Sequence, residues 1–228
     1  MHKLGKSKLG KPKLRKSKLS LLLVDNYDSF TFNLQHMFLL FPEVRLTVKR
    51  NDDDLIGLIE QNSFDGVIIG PGPGSPEDEQ YFGFNRRIIL DYGAAGLPVF
   101  GVCLGFQGIY HAFGGSLALS PVPMHGKTSP LCIAESGGTI LRGVADDVQV
   151  MRYHSIIADL TRPVPDCFRL VAYAADAKDA GKEAVKETTK ELMAIEHKQY
   201  PIFGVQFHPE SFATECGMQI ARNFVGCL

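Results

Sequence analysis

No apolar run in the 228 residues is long enough to cross a bilayer, so a membrane role is not expected. The five cysteines are odd in number and widely spaced, with no Cys-x-x-Cys among them. That pattern argues against a disulfide framework or a zinc site and for a reducing, cytoplasmic setting. No two histidines have metal-ligand spacing, so no metal is expected. The one glycine-rich loop lacks the Gly-Lys-Ser/Thr of a phosphate loop, which removes the nucleotide reading. No cofactor is implied by any stretch of the chain.

Acid is missing from residues 1–20, which carry seven Lys and one Arg. The remaining chain holds 16 basic residues against 25 acidic ones, a balance near −9, hidden behind an overall formal charge of −1. Nothing in the acidic body suggests nucleic-acid binding. The basic stretch repeats Lys-Leu-Gly-Lys-Ser with small changes. Its leucines recur every fifth residue, about 140° apart on a helix, so they line no single face. Residues 1–20 are therefore expected to be a disordered basic tail, and residues 21–228 one domain.

Beyond the tail, apolar strand patterns alternate with helical ones. Leu21-Leu22-Leu23-Val24 is continuous, as in a central parallel strand. A helix is expected from Asp28 or Ser29 to about Leu40, a second strand over 44–49 and a short helix over 52–61. A third strand covers 66–69, a helix runs to about Ala95, and a fourth strand covers 98–102. Short β-like pieces follow near 116–119, 131–134, 139–141, 148–151 and 168–174. Residues 175–190, rich in Ala, Lys, Asp and Glu, read as an exposed loop or frayed helix. Strands at 192–196 and 202–205 and a helix over about 213–225 close the domain. The expected fold is α/β, an open, mostly parallel central sheet flanked by helices, with a smaller antiparallel extension.

Gly101-Val102-Cys103-Leu104-Gly105 stands between the fourth strand and a helix, the cysteine form of a nucleophile elbow. A thiol there meets the helix dipole and free N–H groups, which favour thiolate. Taken alone, the pentapeptide also fits a buried Cys beside packing glycines. Gln206-Phe207-His208-Pro209-Glu210 likewise opens at a strand's carboxyl end. In extended chain His208 and Glu210 project to one side, so the carboxylate can orient the imidazole toward Cys103. Gly70 to Pro76 is a stiff loop whose Gly72 and Gly74 can offer N–H groups. His36, His111 and His197 read as structural, His154 as architectural or interfacial, and Asp25 and Asp28 as loop and cap residues.

These stretches resemble the class I glutamine amidotransferases. The matching segments are residues 23–33, 70–76, 101–107, 125–127, 152–155 and 206–211, which extend over almost all of residues 21–228. Asp25-Asn26-Tyr27-Asp28-Ser29-Phe30 and His125-Gly126-Lys127 favour the branch containing the glutaminase components of anthranilate synthase and aminodeoxychorismate synthase. The resemblance implies a Cys103–His208–Glu210 triad acting on L-glutamine through a glutamyl thioester. It implies an oxyanion site at the Gly72 and Leu104 N–H groups, and glutamine held by Gly72, Gly74, Gln107, Ser155 and Ile156. The partner it implies is a chorismate-binding synthase subunit, making anthranilate or 4-amino-4-deoxychorismate with the ammonia released. Phe106 stands where the family often has His, a change expected to affect packing. A γ-glutamyl hydrolase using the same elbow, or a non-catalytic docking module, are the competing readings.

Overall fold

The first strand, β1 (Leu19–Asp25), is buried on both faces, and that explains its unbroken apolar run. Leu21 and Leu23 enter one core while Leu22 and Val24 enter another. The alternation of side chains along a strand divides them. The computed structural model describes residues 18–134, 137–174 and 190–228. The strand starts at Leu19, two residues before the expected position, because Leu19 and Ser20 pair with Val44 and Arg45. The rest of the basic tail up to residue 17, and residues 175–189 of the expected loop, lie outside the described residues.

Helix α1 (Thr31–Leu39) follows β1, then β2 (Val44–Arg50), α2 (Leu55–Gln61) and β3 (Gly66–Ile69). Asp54 caps α2 by accepting from the Gly57 N–H at 2.9 Å. The single helix expected before residue 95 is broken into α3 (Glu79–Phe82), α4 (Asn85–Arg87) and a π-helical turn, Ile88–Gly93. Gly83 ends α3 at φ 59°, where an added Cβ would sit 2.5 Å from the Asn51 carbonyl oxygen. Strand β4 (Val99–Val102) and helix α5 (Leu104–Ala112) come next.

The remaining elements are β5 (Leu117–Ile133), β6 (Gln149–Ala158), β7 (Phe168–Ala174), β8 (Glu191–His197), β9 (Ile202–Val205) and α6 (Gly217–Val225). Strand β5 joins two pieces that the sequence separates. Pro121 and Pro123 interrupt its pattern, and register shifts at Leu119/Met124 and His125/Lys127 absorb them as bulges. Residues 139–141, expected as a strand, form a turn. Helix α6 starts four residues later than expected.

Among the described residues the strands run in the order β2-β1-β3-β4-β9-β8-β7-β5-β6. The first five are parallel and the later pairings antiparallel. Helices α1 and α6 cover one face through Leu34, Phe38, Ile220 and Phe224. Helices α2, α3 and α5 cover the other through Leu55, Phe82, Ile109 and Tyr110. The carboxyl ends of β3, β4 and β9 therefore meet at one rim, where an open α/β sheet offers its crevice.

Candidate active site

Cys103 caps the N-terminus of α5 and holds φ 54°, ψ −101°, a backbone state costly for any residue with a Cβ. Its N–H donates to the Val205 carbonyl at 2.9 Å, tying the elbow to β9. Gly105 permits the sharp exit, since a Cβ there would lie 2.2 Å from the Ile69 carbonyl oxygen. The side chain of Cys103 is buried, as are those of Leu104 and Gln107. Leu104 opens the helix, so its N–H has no partner within it.

His208 lies just past β9, and its Nδ1–H donates to Glu210 Oε1 at 2.6 Å. Both side chains are nearly sealed from solvent. Burial alone would push the imidazole down, but Cys103 and Glu210 together outweigh it and push its pKa up to about 10. Nε2 forms no hydrogen bond of good geometry with another side chain, which leaves it available on the side of the thiol. The two stretches read separately in the sequence thus converge. The backbone around His208 is held by its N–H on Met151 O at 2.9 Å and by Thr214 Oγ1–H on its carbonyl at 2.6 Å.

Gly72 approaches the elbow closely. A Cβ on it would stand 2.7 Å from the Asn26 carbonyl oxygen and 2.9 Å from Leu104 Cδ2. Gly74, at φ 84°, faces the Tyr81 ring instead and is exposed. Asn26 braces the loop by donating to the Gly70 carbonyl at 2.8 Å, and Tyr81 O–H donates to the Asn26 carbonyl at 2.9 Å. Gln107 Nε2 donates to the Ile156 carbonyl at 2.8 Å and to Gln206 Oε1 at 3.2 Å. Gln107 and Ile156 are therefore joined across the site, while Ser155 is exposed beside them.

Gln206 was not singled out from sequence. Its Nε2 donates to Cys103 Sγ at 3.7 Å. The available signal was its place at the end of β9, two residues before His208. Two aromatic residues were also missed. Phe30 and Tyr153 stack at 5.2 Å between centroids, and each meets the His208 ring edge-on.

A polar cluster lies behind Tyr153. Arg152, 1% exposed, pairs with Glu191 through Nη2 and donates to Ser129 Oγ at 2.9 Å. His154 Nε2 approaches Glu191 Oε2 at 3.0 Å. Burial, with the Arg152 charge, lowers the His154 pKa. Burial would raise the Glu191 carboxyl, but His154 and Arg152 hold it below its usual range. This supports the architectural reading of His154. Asp25 and Asp28 act as loop ties: Asp28 Oδ1 accepts from the Phe30 N–H at 2.7 Å, and Asp25 Oδ1 accepts from Thr31 Oγ1–H at 2.7 Å. The helix itself is capped at Phe30 rather than at Asp28 or Ser29. None of the five cysteines forms a disulfide. Among the described residues, no helix is long and apolar enough to cross a membrane.

A strained thiol at a strand–helix elbow and a carboxylate-held imidazole just past the neighbouring strand are the groups from which cysteine–histidine chemistry is built. Residues 22–227 match the family described as Glutamine amidotransferase class-I, and the chain belongs to that family. It is 38% identical over 212 residues to "Anthranilate synthase component 2" of Leptospira biflexa, covering 91% of this chain and 99% of that one. It is 41% identical over 206 residues to "Aminodeoxychorismate/anthranilate synthase component 2" of Bacillus subtilis (strain 168), covering 90% and 95%. A crystal structure described as "a putative gmp synthase subunit a protein" from Thermoplasma acidophilum superposes with a TM-score of 0.76 at 27% identity. It covers 93% of this chain and 95% of that chain.

Proposed function

We propose that the chain hydrolyses the side-chain amide of L-glutamine and passes the ammonia to a chorismate-binding synthase subunit. The observation that carries this reading is the His208 imidazole, held by Glu210 at 2.6 Å and coupled to the Cys103 thiol. Cys103 attacks the amide carbon as thiolate, forming a C–S bond while the C=O electrons move onto oxygen. The Gly72 and Leu104 N–H groups stabilise that oxyanion. As it collapses the C–N bond breaks, and His208 gives its Nε2 proton to the departing ammonia. Water then attacks the glutamyl thioester, His208 takes its proton, and glutamate leaves as the thiolate is regenerated. Gly72, Gly74, Gln107, Ser155 and Ile156 hold the substrate.

Ammonia released into water is protonated and stops being a nucleophile, which favours delivery to a docked partner. The component 2 relatives support that partner, and their two printed names support either anthranilate or 4-amino-4-deoxychorismate as the product. Phe212, two residues past Glu210, is 99% exposed beside Leu40 and Met218, and supports docking on this rim. A cytoplasmic setting accords with five cysteines and no disulfide.

The test is Cys103→Ala assayed with the cognate synthase. Glutamine-dependent synthesis is expected to fail while ammonia-dependent synthesis survives. Glutamine hydrolysis persisting in Cys103→Ala overturns the reading. A wild-type preference for γ-glutamyl peptides over free glutamine overturns it in favour of a γ-glutamyl hydrolase.

A further inference from the structure

The His208 ring is enclosed by two aromatic side chains from separate parts of the fold. Phe30 comes from the turn between β1 and α1, and its N–H is fixed by the Asp28 carboxylate at 2.7 Å. Tyr153 comes from β6, at the far edge of the sheet from β2. The two rings stack at 5.2 Å and 28°. Tyr153 meets His208 at 5.2 Å and 88°, and Phe30 meets it at 5.7 Å and 68°. Both are half-buried, so neither is an ordinary core residue.

Hydrogen bonding to Glu210 fixes one atom of the imidazole and leaves the ring free to rotate about that contact. Edge-on aromatic contacts remove that freedom. An imidazolium also gains from the negative face of a neighbouring ring. We propose that Phe30 and Tyr153 form an aromatic clamp that positions His208 toward Cys103 and couples that alignment to the seating of the β5–β6 arm. This rests on the triad reading above and deepens it. Phe30 and Tyr153 are positioning residues and touch no reacting atom.

The coupling follows from where the second jaw sits. Tyr153 pairs with His125 across the bulge at His125/Lys127. Gly126 turns there at φ 68°, and a Cβ on it would approach the Tyr153 ring to 3.2 Å. A displacement of that bulge therefore moves the Tyr153 ring, and with it one wall of the imidazole. The charged and titratable groups acting on His208 are Cys103, Glu210, Asp28 and His154.

The experiment measures glutamine hydrolysis by the full chain with its synthase partner, for Phe30→Ala, Tyr153→Leu and Tyr153→Phe. Tyr153→Leu keeps an apolar side chain and removes the ring; Tyr153→Phe keeps the ring. For Phe30→Ala and Tyr153→Leu, kcat is expected to fall roughly 10- to 100-fold, as for a misplaced general acid–base. KM for glutamine should stay within about twofold, because the holding residues are untouched. The alkaline limb of the kcat/KM profile should move to lower pH, and Tyr153→Phe should restore both kcat and the limb. Folded Phe30→Ala and Tyr153→Leu proteins with wild-type kcat and profile overturn the clamp. So does a Tyr153→Phe protein as impaired as Tyr153→Leu. His208→Ala, run alongside, isolates the reading beneath: if it hydrolyses glutamine normally the triad fails, whereas an inactive His208→Ala beside an unaffected Phe30→Ala sinks only the clamp.

Discussion

Gln206 donates to the sulfur of Cys103 at 3.7 Å while its carbonyl oxygen accepts from Gln107 at 3.2 Å. One buried amide thus links the nucleophile to a residue of the expected glutamine pocket. Gln206→Leu removes a donor from the sulfur and strips Gln107 of one of its two acceptors. A lost buried hydrogen bond costs about 1–3 kcal/mol. Steady-state kinetics should show both a lower kcat and a higher KM, whereas a purely structural role predicts an unchanged KM in the folded variant.

Cys103 and Glu210 make the stability of the fold pH-dependent through His208. The His208 pKa is raised, to about 10, so its contribution to stability is complete below the ordinary histidine value. It is lost as pH climbs from there toward the folded value. Glu210→Gln removes one of the two groups that raise it. Chemical denaturation between about pH 6 and pH 10 should show a falling stability in the wild type and a flatter curve in Glu210→Gln.

The Arg152–Glu191–His154 cluster acts in the opposite direction. Glu191 is held below its usual range, so its contribution is present above the ordinary carboxylate value and disappears as pH falls through the folded one. His154, also lowered, loses stability in acid as it is forced to take a proton. Glu191→Gln leaves the buried Arg152 guanidinium without its counter-charge. A loss of about 3–5 kcal/mol is expected near neutrality. Thermal melting between about pH 4 and pH 7 should show that loss shrinking in acid.

Phe212 offers a test of the docking rim. It is 99% exposed, so Phe212→Asp should leave the melting temperature and the unassisted glutaminase rate of the chain unchanged. Binding to the cognate synthase, measured by titration calorimetry, should weaken at least tenfold, or about 1.4 kcal/mol. An unaltered affinity would remove this face from the interface.

The parallel half of the fold was legible because four of its five strands are buried on both sides and read as nearly continuous apolar runs. β1, β3, β4 and β9 all follow that rule, and the elbow and the His-Pro-Glu segment stand directly at their ends. The antiparallel half was harder. Proline breaks the pattern of β5 at positions where bulges, visible only in three dimensions, keep the strand continuous. The helix expected before residue 95 was broken by Gly83 and a π-turn, for which periodicity carries little signal. Gln206, Phe30 and Tyr153 escaped notice for a different reason. Their significance lies in what they touch, and those contacts join residues 30, 153 and 208 of three separate elements.

The pairing of β4 with β9 has a consequence for biosynthesis. Cys103 and its neighbour Gln206 are separated by 103 residues of chain. During translation the thiol emerges long before β9 and the histidine that follows it have been made. Because such distant contacts form late, the nascent polypeptide carries Cys103 without its His208 neighbour until β9 has been threaded into the sheet.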